Sequence, residues 1–348
     1  MGYDSTVVSF SQITGHRRLL ALLSRSVEHD SLPPSLVFAG PAGVGKRLTA
    51  LAVAQALNCL EVSTVQAPVS GFGFDACGTC AVCTRIVRGV HPDVVVVAPD
   101  DRGSIRMEHV RDIVDRSAYR PFEGRRRVVI IDDADALGTP PQHALLKTLE
   151  EPPSSSVFIL VTARPDMLLP TVRSRCPQLR FRPLAADDIA TVLVARGLSE
   201  SEARAVAATA DGSLGQALAA SAGEHVEARD VAQRVLAYAS ANREPARRID
   251  VAKELLAKTG ATGAGDRDQL ASHLRAMASL LRDVEVLATR ADDRTLANPD
   301  VRPALDRLTE MYRGERGIRA FAAIDQALVA LDRHAGVKLV ADWVVLQL

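Results

Sequence analysis

The stretch Gly40-Pro41-Ala42-Gly43-Val44-Gly45-Lys46-Arg47 decides the fold. It follows a short apolar run, Leu36 to Ala39, and leads into a helical pattern rich in Ala and Leu. Glycines at 40, 43 and 45 let successive backbone N–H groups converge on phosphate oxygens, and the start of the next helix adds a favourable dipole. Lys46 stands where a lysine reaches the β and γ phosphates of a nucleotide. A strand before and a helix after are what separate a phosphate loop from an incidental glycine-rich turn.

Outward from this loop, β-branched runs alternate with helical patterns between Ser35 and Arg182. The runs are Leu36 to Ala39, Val94 to Ala98, Val128 to Ile131, Val157 to Thr162 and Gln178 to Phe181. Such alternation predicts a parallel sheet with helices on both faces, and strands that are apolar throughout fit a sheet covered twice. The expected fold class is therefore α/β, a P-loop domain over residues 1–182. After Pro183 the strand patterns stop. Ala185 to Gly197, Ser199 to Ala210 and Ser213 to Ala220 read as three short helices, a small lid over 183–222. From there to Leu348 apolar residues recur at helical spacing, as in Leu270, Leu274, Met277 and Leu281. This predicts a third, all-helical domain over 223–348 with those residues as core face rather than cofactor site.

Composition bounds the function. The chain has 348 residues, more than one core usually serves, so several domains are expected. Lys plus Arg and Asp plus Glu both number 42, which gives no overall attraction to nucleic acid. Aromatic residues are only 4%, too few for a row of base-stacking platforms. No run of about eighteen apolar residues occurs and the N-terminus has no leader pattern, so a cytoplasmic location away from membranes is expected.

The metal-binding side of the nucleotide site departs from what catalysis needs. The position after the lysine is normally Ser or Thr, whose hydroxyl ligates Mg²⁺, but here it is Arg47. A guanidinium cannot coordinate a cation and would compete with it for the same phosphates. Thr49 lies about 200° further round the helix and is a poor substitute. After the run Val128 to Ile131 come Asp132-Asp133-Ala134-Asp135. Asp132 fits the acid that holds Mg²⁺, whereas Asp133 stands where a glutamate would aim the attacking water. One methylene less displaces that group by about an ångström, a change worth on the order of a hundredfold in rate. ATP binding stays open because Lys46 and the glycines are intact; hydrolysis is expected to be weak or absent.

With Gly40 to Lys46, the acidic box at 132–135, the run Ala144-Leu-Leu-Lys-Thr-Leu-Glu-Glu-Pro-Pro153 and Arg173-Ser-Arg-Cys176, the sequence resembles the bacterial clamp-loader branch of the AAA+ family. The resemblance spans residues 8–220. It implies that Arg175 enters a neighbouring subunit's ATP site as a trans-acting finger; the plainer reading is a local salt bridge, to Asp187 or Asp188 for instance. It also implies that Thr162 senses the γ-phosphate, with a strand-end threonine satisfying local backbone groups as the alternative. Motor subunits of that family carry an arginine after a Gly-Ser-x run in the lid, and this chain has Gly212-Ser213-Leu214-Gly215. With Arg47 and Asp133, this departure points to the delta-prime kind of subunit, with a gamma/tau-type motor as the alternative. The implied partners are the motor (gamma/tau) and delta subunits and, through the complex, the sliding clamp and primed DNA.

Cys77-Gly-Thr-Cys80-Ala-Val-Cys83 brings three thiols together, with Gly71, Gly73 and Gly78 available for tight turns. Four soft ligands in a tetrahedron suit Zn²⁺, and clamp-loader subunits of this family carry a zinc module here, which makes Cys59 the implied fourth ligand. Disulfides or an iron–sulfur cluster are the alternatives. A zinc site closed by Cys59, Cys77, Cys80 and Cys83 would be structural. Cys176 reads as a small buried residue. The triple Arg125-Arg126-Arg127 could serve a DNA-binding module, or it could simply cover the entrance to a strand.

Overall fold

The structure is a computed structural model and describes residues 9–61, 73–100, 103–219, 222–242, 244–256, 263–289, 296–332 and 335–348. Gly71 lies outside the described residues. The chain divides into two compact units. One comprises Met1–Asp188 with Gly212–Gly215, the other Ile189–Asp211 with Gln216–Leu348.

The first unit is built on five parallel strands, β1 (Ser35–Ala39), β2 (Val94–Val97), β3 (Arg127–Ile131), β4 (Ser156–Thr162) and β5 (Gln178–Arg180), in the order β2-β3-β4-β1-β5. Each lies within a residue or two of its expected run. Strand alternation splits the apolar residues between two cores. Leu36, Phe38, Val128, Ile130, Ile159 and Val161 face one side. There they meet α1 (Arg17–Glu28), α2 (Lys46–Asn58) and α3 (Ala81–Val87). Val37, Ala39, Val129, Ile131, Phe158 and Leu160 face the other, against α4 (Met107–Ser117), α5 (Thr139–Glu150) and α6 (Pro170–Arg173).

The order of the strands places the site. From β1 the chain crosses to β2 at the far edge, works back through β3 and β4, and returns beyond β1 at β5. Ligands of such sheets bind beyond the carboxyl ends of the strands where the winding reverses. β1 therefore delivers the glycine loop to that edge, β3 delivers Asp132 and Asp133, and β4 delivers Thr162. The register pairs Ala39 with Thr162 directly.

The second unit is helical: α7 (Ala186–Ala195, entering from the first unit), α8 (Glu200–Thr209), α9 (Leu214–Ala219), α10 (Ala222–Ala241), α11 (Pro245–Ala252), α12 (Gly263–Ala288), α13 (Arg302–Tyr312), α14 (Glu315–Asp332) and α15 (Val337–Gln347). Leu270, Leu274, Met277 and Leu281 are buried on α12 against α10, α13 and α14, the core face expected of them. Among the described residues no helix is long and apolar enough to cross a membrane.

Candidate nucleotide site, arginine and cysteine cluster

The glycine loop needs glycine for packing as much as for phosphate approach. At Gly40 a Cβ would fall 2.3 Å from the carbonyl oxygen of Phe181. Gly43 has φ +72° and lies against the segment 212–215, where a Cβ would meet Ser213 Oγ at 2.1 Å. Gly215 N donates to Gly43 O at 2.8 Å, and a Cβ on Gly215 would sit 2.9 Å from Gly43 Cα. No arginine fits at Gly215 without moving the loop.

The side chains of Lys46, Arg47, Thr49, Asp132 and Thr162 each have an internal partner. Lys46 is buried, and its Nζ donates to Gly40 O at 2.7 Å and Pro41 O at 2.5 Å. Burial lowers its pKa, opposed by the charges of Asp133, Asp132 and Asp135. Arg47 Nη1 lies 3.2 Å from Asp132 Oδ2. The guanidinium thus stands on the carboxylate from which a metal-binding role was expected. Thr49 is fully buried and its hydroxyl donates back to Gly45 O at 2.9 Å, so it is not directed at a metal.

Asp133 has φ +45°, and its amide donates to Asp132 Oδ1 at 3.2 Å. Burial raises the Asp133 pKa, and the negative charges of Asp132 and Asp135 push it the same way. Thr162 Oγ1 donates to Asp135 Oδ1 at 2.8 Å and accepts from Arg164 N at 3.0 Å. Arg164 in turn holds Asp135 at 2.9 Å. Gly40, Gly43, Gly45, Lys46, Asp132, Asp133 and Thr162 therefore gather at the carboxyl edge of the sheet.

Arg175 follows α6. Its Nη1 donates to Thr171 O at 3.0 Å and its Nη2 to Glu150 Oε1 at 3.1 Å. The local ion pair is thus with the last residue of α5, not with Asp187 or Asp188. Arg175 Nε is buried without an acceptor, so the guanidinium is only partly satisfied where it rests. Cys176 beside it is buried, as expected, and burial pushes its thiol up to about 11.

The four cysteines of the predicted cluster come together. Sγ of Cys59, at the end of α2, lies 3.5 Å from Cys77 Sγ and 4.0 Å from Cys80 Sγ. All four sulfurs fall within 4.8 Å of one another. A tetrahedron with metal–sulfur bonds of about 2.3 Å has edges of about 3.8 Å, so this spacing suits one ion. Two amides support the sulfurs: Cys77 N donates to Cys59 Sγ and Cys80 N to Cys77 Sγ, each at 3.3 Å. Burial pushes Cys83 up, whereas for Cys80 the amides of Cys83 and Leu60 outweigh burial and bring the thiol down to about 6. The donor set can hold a metal ion.

A second buried network was not anticipated. Asp93, ahead of β2, is fully buried and accepts amides from Phe122, Glu123 and Gly124 at 2.7–2.9 Å, with Arg127 Nη2 at 3.1 Å. Arg126 pairs with Asp30 at 2.6 Å, and Arg125 donates to the carbonyl of Cys59. The arginine triple therefore fastens the entrance of β3 to its surroundings. A lone acid ahead of a valine run gives no sign of this in sequence, although a basic triple abutting a strand gives half of it.

Residues 15–185 match the family model described as DNA polymerase III, delta subunit. The chain is 34% identical over 190 residues to the delta' subunit of Bacillus subtilis, covering 55% of this chain and 54% of that one. It is 37% identical over 168 residues to the delta' subunit of Pseudomonas aeruginosa, covering 48% of each. Against the gamma/tau subunit of Mycobacterium tuberculosis H37Rv it is 33% identical over 176 residues, covering 51% of this chain and 29% of that one. Sheet and loop together define an α/β domain with a glycine-rich turn between β1 and α2. Over about half of its length the chain is thus similar to DNA polymerase III delta, delta' and gamma/tau subunits. It spans about half the length of the delta' relatives and under a third of the gamma/tau one, and both kinds stand among its relatives.

Proposed function

We propose that the chain is the delta-prime subunit of a bacterial clamp loader, a rigid member that lends Arg175 to a neighbour's ATP site while its own site does not turn over. The observation that carries this reading is Arg47 on Asp132: the two positions that should share a magnesium ion instead hold each other. Gly215 packed on Gly43 supports it, because that close approach leaves no room for a lid arginine at this position.

In this account residues 183–222 act as the lid and 223–348 as the collar that joins motor (gamma/tau) and delta subunits. The assembly opens the sliding clamp and loads it on primed DNA. Arg175 leaves Glu150 when a neighbour's nucleotide offers phosphate oxygens, because its planar fork matches them and its charge is permanent. Any nucleotide held in cis would lie on the loop amides and Lys46. The four cysteines bind structural zinc: an all-thiolate set leaves no open position for water.

The second reading, a gamma/tau-type motor, draws on the intact Lys46 and the gamma/tau relatives. ATP turnover by the purified chain, with Lys46→Ala as control, separates the two. No turnover above the control is expected, and brisk turnover abolished by Lys46→Ala would replace the delta-prime reading with the motor.

A further inference from the structure

The helical second unit carries a concave face of about 600 Å³ between α11, α14 and α15. Arg248 lines it from α11, Arg316 and Arg319 from α14, and Trp343 and Leu346 from α15; no aspartate or glutamate side chain is among its lining residues. Half-buried Arg248 spends Nε on Asn242 O at 2.6 Å and Nη1 on Leu346 O at 3.2 Å. Arg316, also half-buried, reaches the carbonyl of Ser240 and the terminal carboxylate of Leu348 at 3.4 Å, and its guanidinium lies 5.0 Å from the Tyr312 ring centre. Arg319 is exposed and meets Glu315 only at 3.9 Å. The neutral carbonyls of Asn242, Leu346 and Ser240 satisfy donors without cancelling charge, whereas the terminal carboxylate of Leu348 offsets part of the Arg316 charge, so the positive charge an anion would neutralise rests mainly on Arg248 and Arg319. Of the acids nearby on the chain, Glu244 pairs with Arg247 and Asp250 with Lys253.

Beside the arginines runs an apolar stripe. Leu339, Trp343 and Leu346 are 71%, 36% and 37% exposed and recur at i, i+4 and i+7, the spacing of one helix face. We propose that this face binds an acidic amphipathic segment of a partner protein, its apolar residues on the α15 stripe and its carboxylates on Arg248, Arg316 and Arg319. Two leucines and one aromatic favour a peptide over nucleic acid, which calls for successive stacking rings. The inference stands on the second unit alone and is independent of the nucleotide-site reading.

Trp343 is the one tryptophan of the chain, so its emission reports on this face directly. The full chain is titrated with a synthetic amphipathic peptide of roughly four helical turns, leucines on one side and glutamates flanking them. Controls are the same peptide with glutamine for every glutamate, and a single-stranded oligonucleotide. The acidic peptide is expected to shift the emission to the blue. Arg248→Gln with Arg319→Gln weakens its binding by about tenfold or more. Arg319→Glu alone, at an exposed position that circular dichroism will show to be folded, weakens it as well. Equal binding of the glutamine peptide, equal or tighter binding of the oligonucleotide, or emission unmoved by the acidic peptide would overturn the proposal.

Discussion

Replacing Asp93 with alanine tests the buried network that ties the segment 122–124 and the start of β3 to β2. The carboxylate accepts three backbone amides at 2.7, 2.9 and 2.8 Å and faces Arg127 at 3.1 Å. A buried donor left without an acceptor costs about 1–3 kcal/mol, and removing one member of a buried ion pair costs about 3–5 kcal/mol. These contributions overlap. Arg127 keeps the carbonyls of Tyr119 and Arg120 at 3.0 and 3.2 Å, and Phe122 is 83% exposed, so water reaches part of the segment. The expected loss is therefore about 3–4 kcal/mol, read as a lower midpoint in urea unfolding followed by far-ultraviolet circular dichroism. Burial alone would raise the Asp93 pKa, but the amides of Glu123, Gly124 and Phe122 and the Arg127 guanidinium hold it below the usual carboxylate range. The carboxylate's contribution is then complete above the ordinary aspartate pKa near 4, and fades as pH falls through the lower folded value. Asp93→Asn should flatten stability across that acid range. A loss below about 1 kcal/mol for the alanine variant would refute the reasoning.

Three further outcomes follow from the site. The purified chain should carry one zinc ion per molecule by elemental analysis, and Cys77→Ser should lower that content and the melting temperature together; a metal-free chain that melts normally would count against a structural ion. Arg47→Thr removes an exposed ion pair of the kind worth about 0–1 kcal/mol, so unfolding should barely change. It should not restore ATP turnover, since Asp133 and Gly215 remain; turnover appearing on that single change would show that Arg47 alone silences the site. Glu150→Gln frees Arg175 of its carboxylate partner, and the variant's loader should reach half-maximal ATPase at lower nucleotide concentration with kcat unchanged. An unchanged KM would mean that the pair has no part in positioning Arg175.

The sheet was legible because strands covered on both faces are written as uninterrupted apolar runs. Val94 to Val97 and Val128 to Ile131 admit few other readings. The glycine loop was legible through its context, and the cysteines through chemistry that few other residues share. What sequence did not disclose is how polar groups pair across the fold. Arg47 was expected to compete for phosphates, yet its distance from Asp132 depends on β1 and β3 flanking β4. Glu150 and Arg175 meet because α5 ends where α6 turns, a matter of tertiary packing with no periodic signal. Asp93 shows the same limit, for a single acid ahead of a strand looks alike whether it is solvated or holds three amides.

The central claim is that this chain contributes a guanidinium to another subunit's ATP chemistry and none of its own. The most direct measurement is the DNA-stimulated ATPase rate of a loader reconstituted with motor and delta subunits, comparing the native chain with Arg175→Ala. The account predicts that the variant assembles normally, as judged by gel filtration, while the rate falls by about three powers of ten at the site it faces. An assembled loader that hydrolyses ATP at the native rate with Arg175→Ala would contradict it.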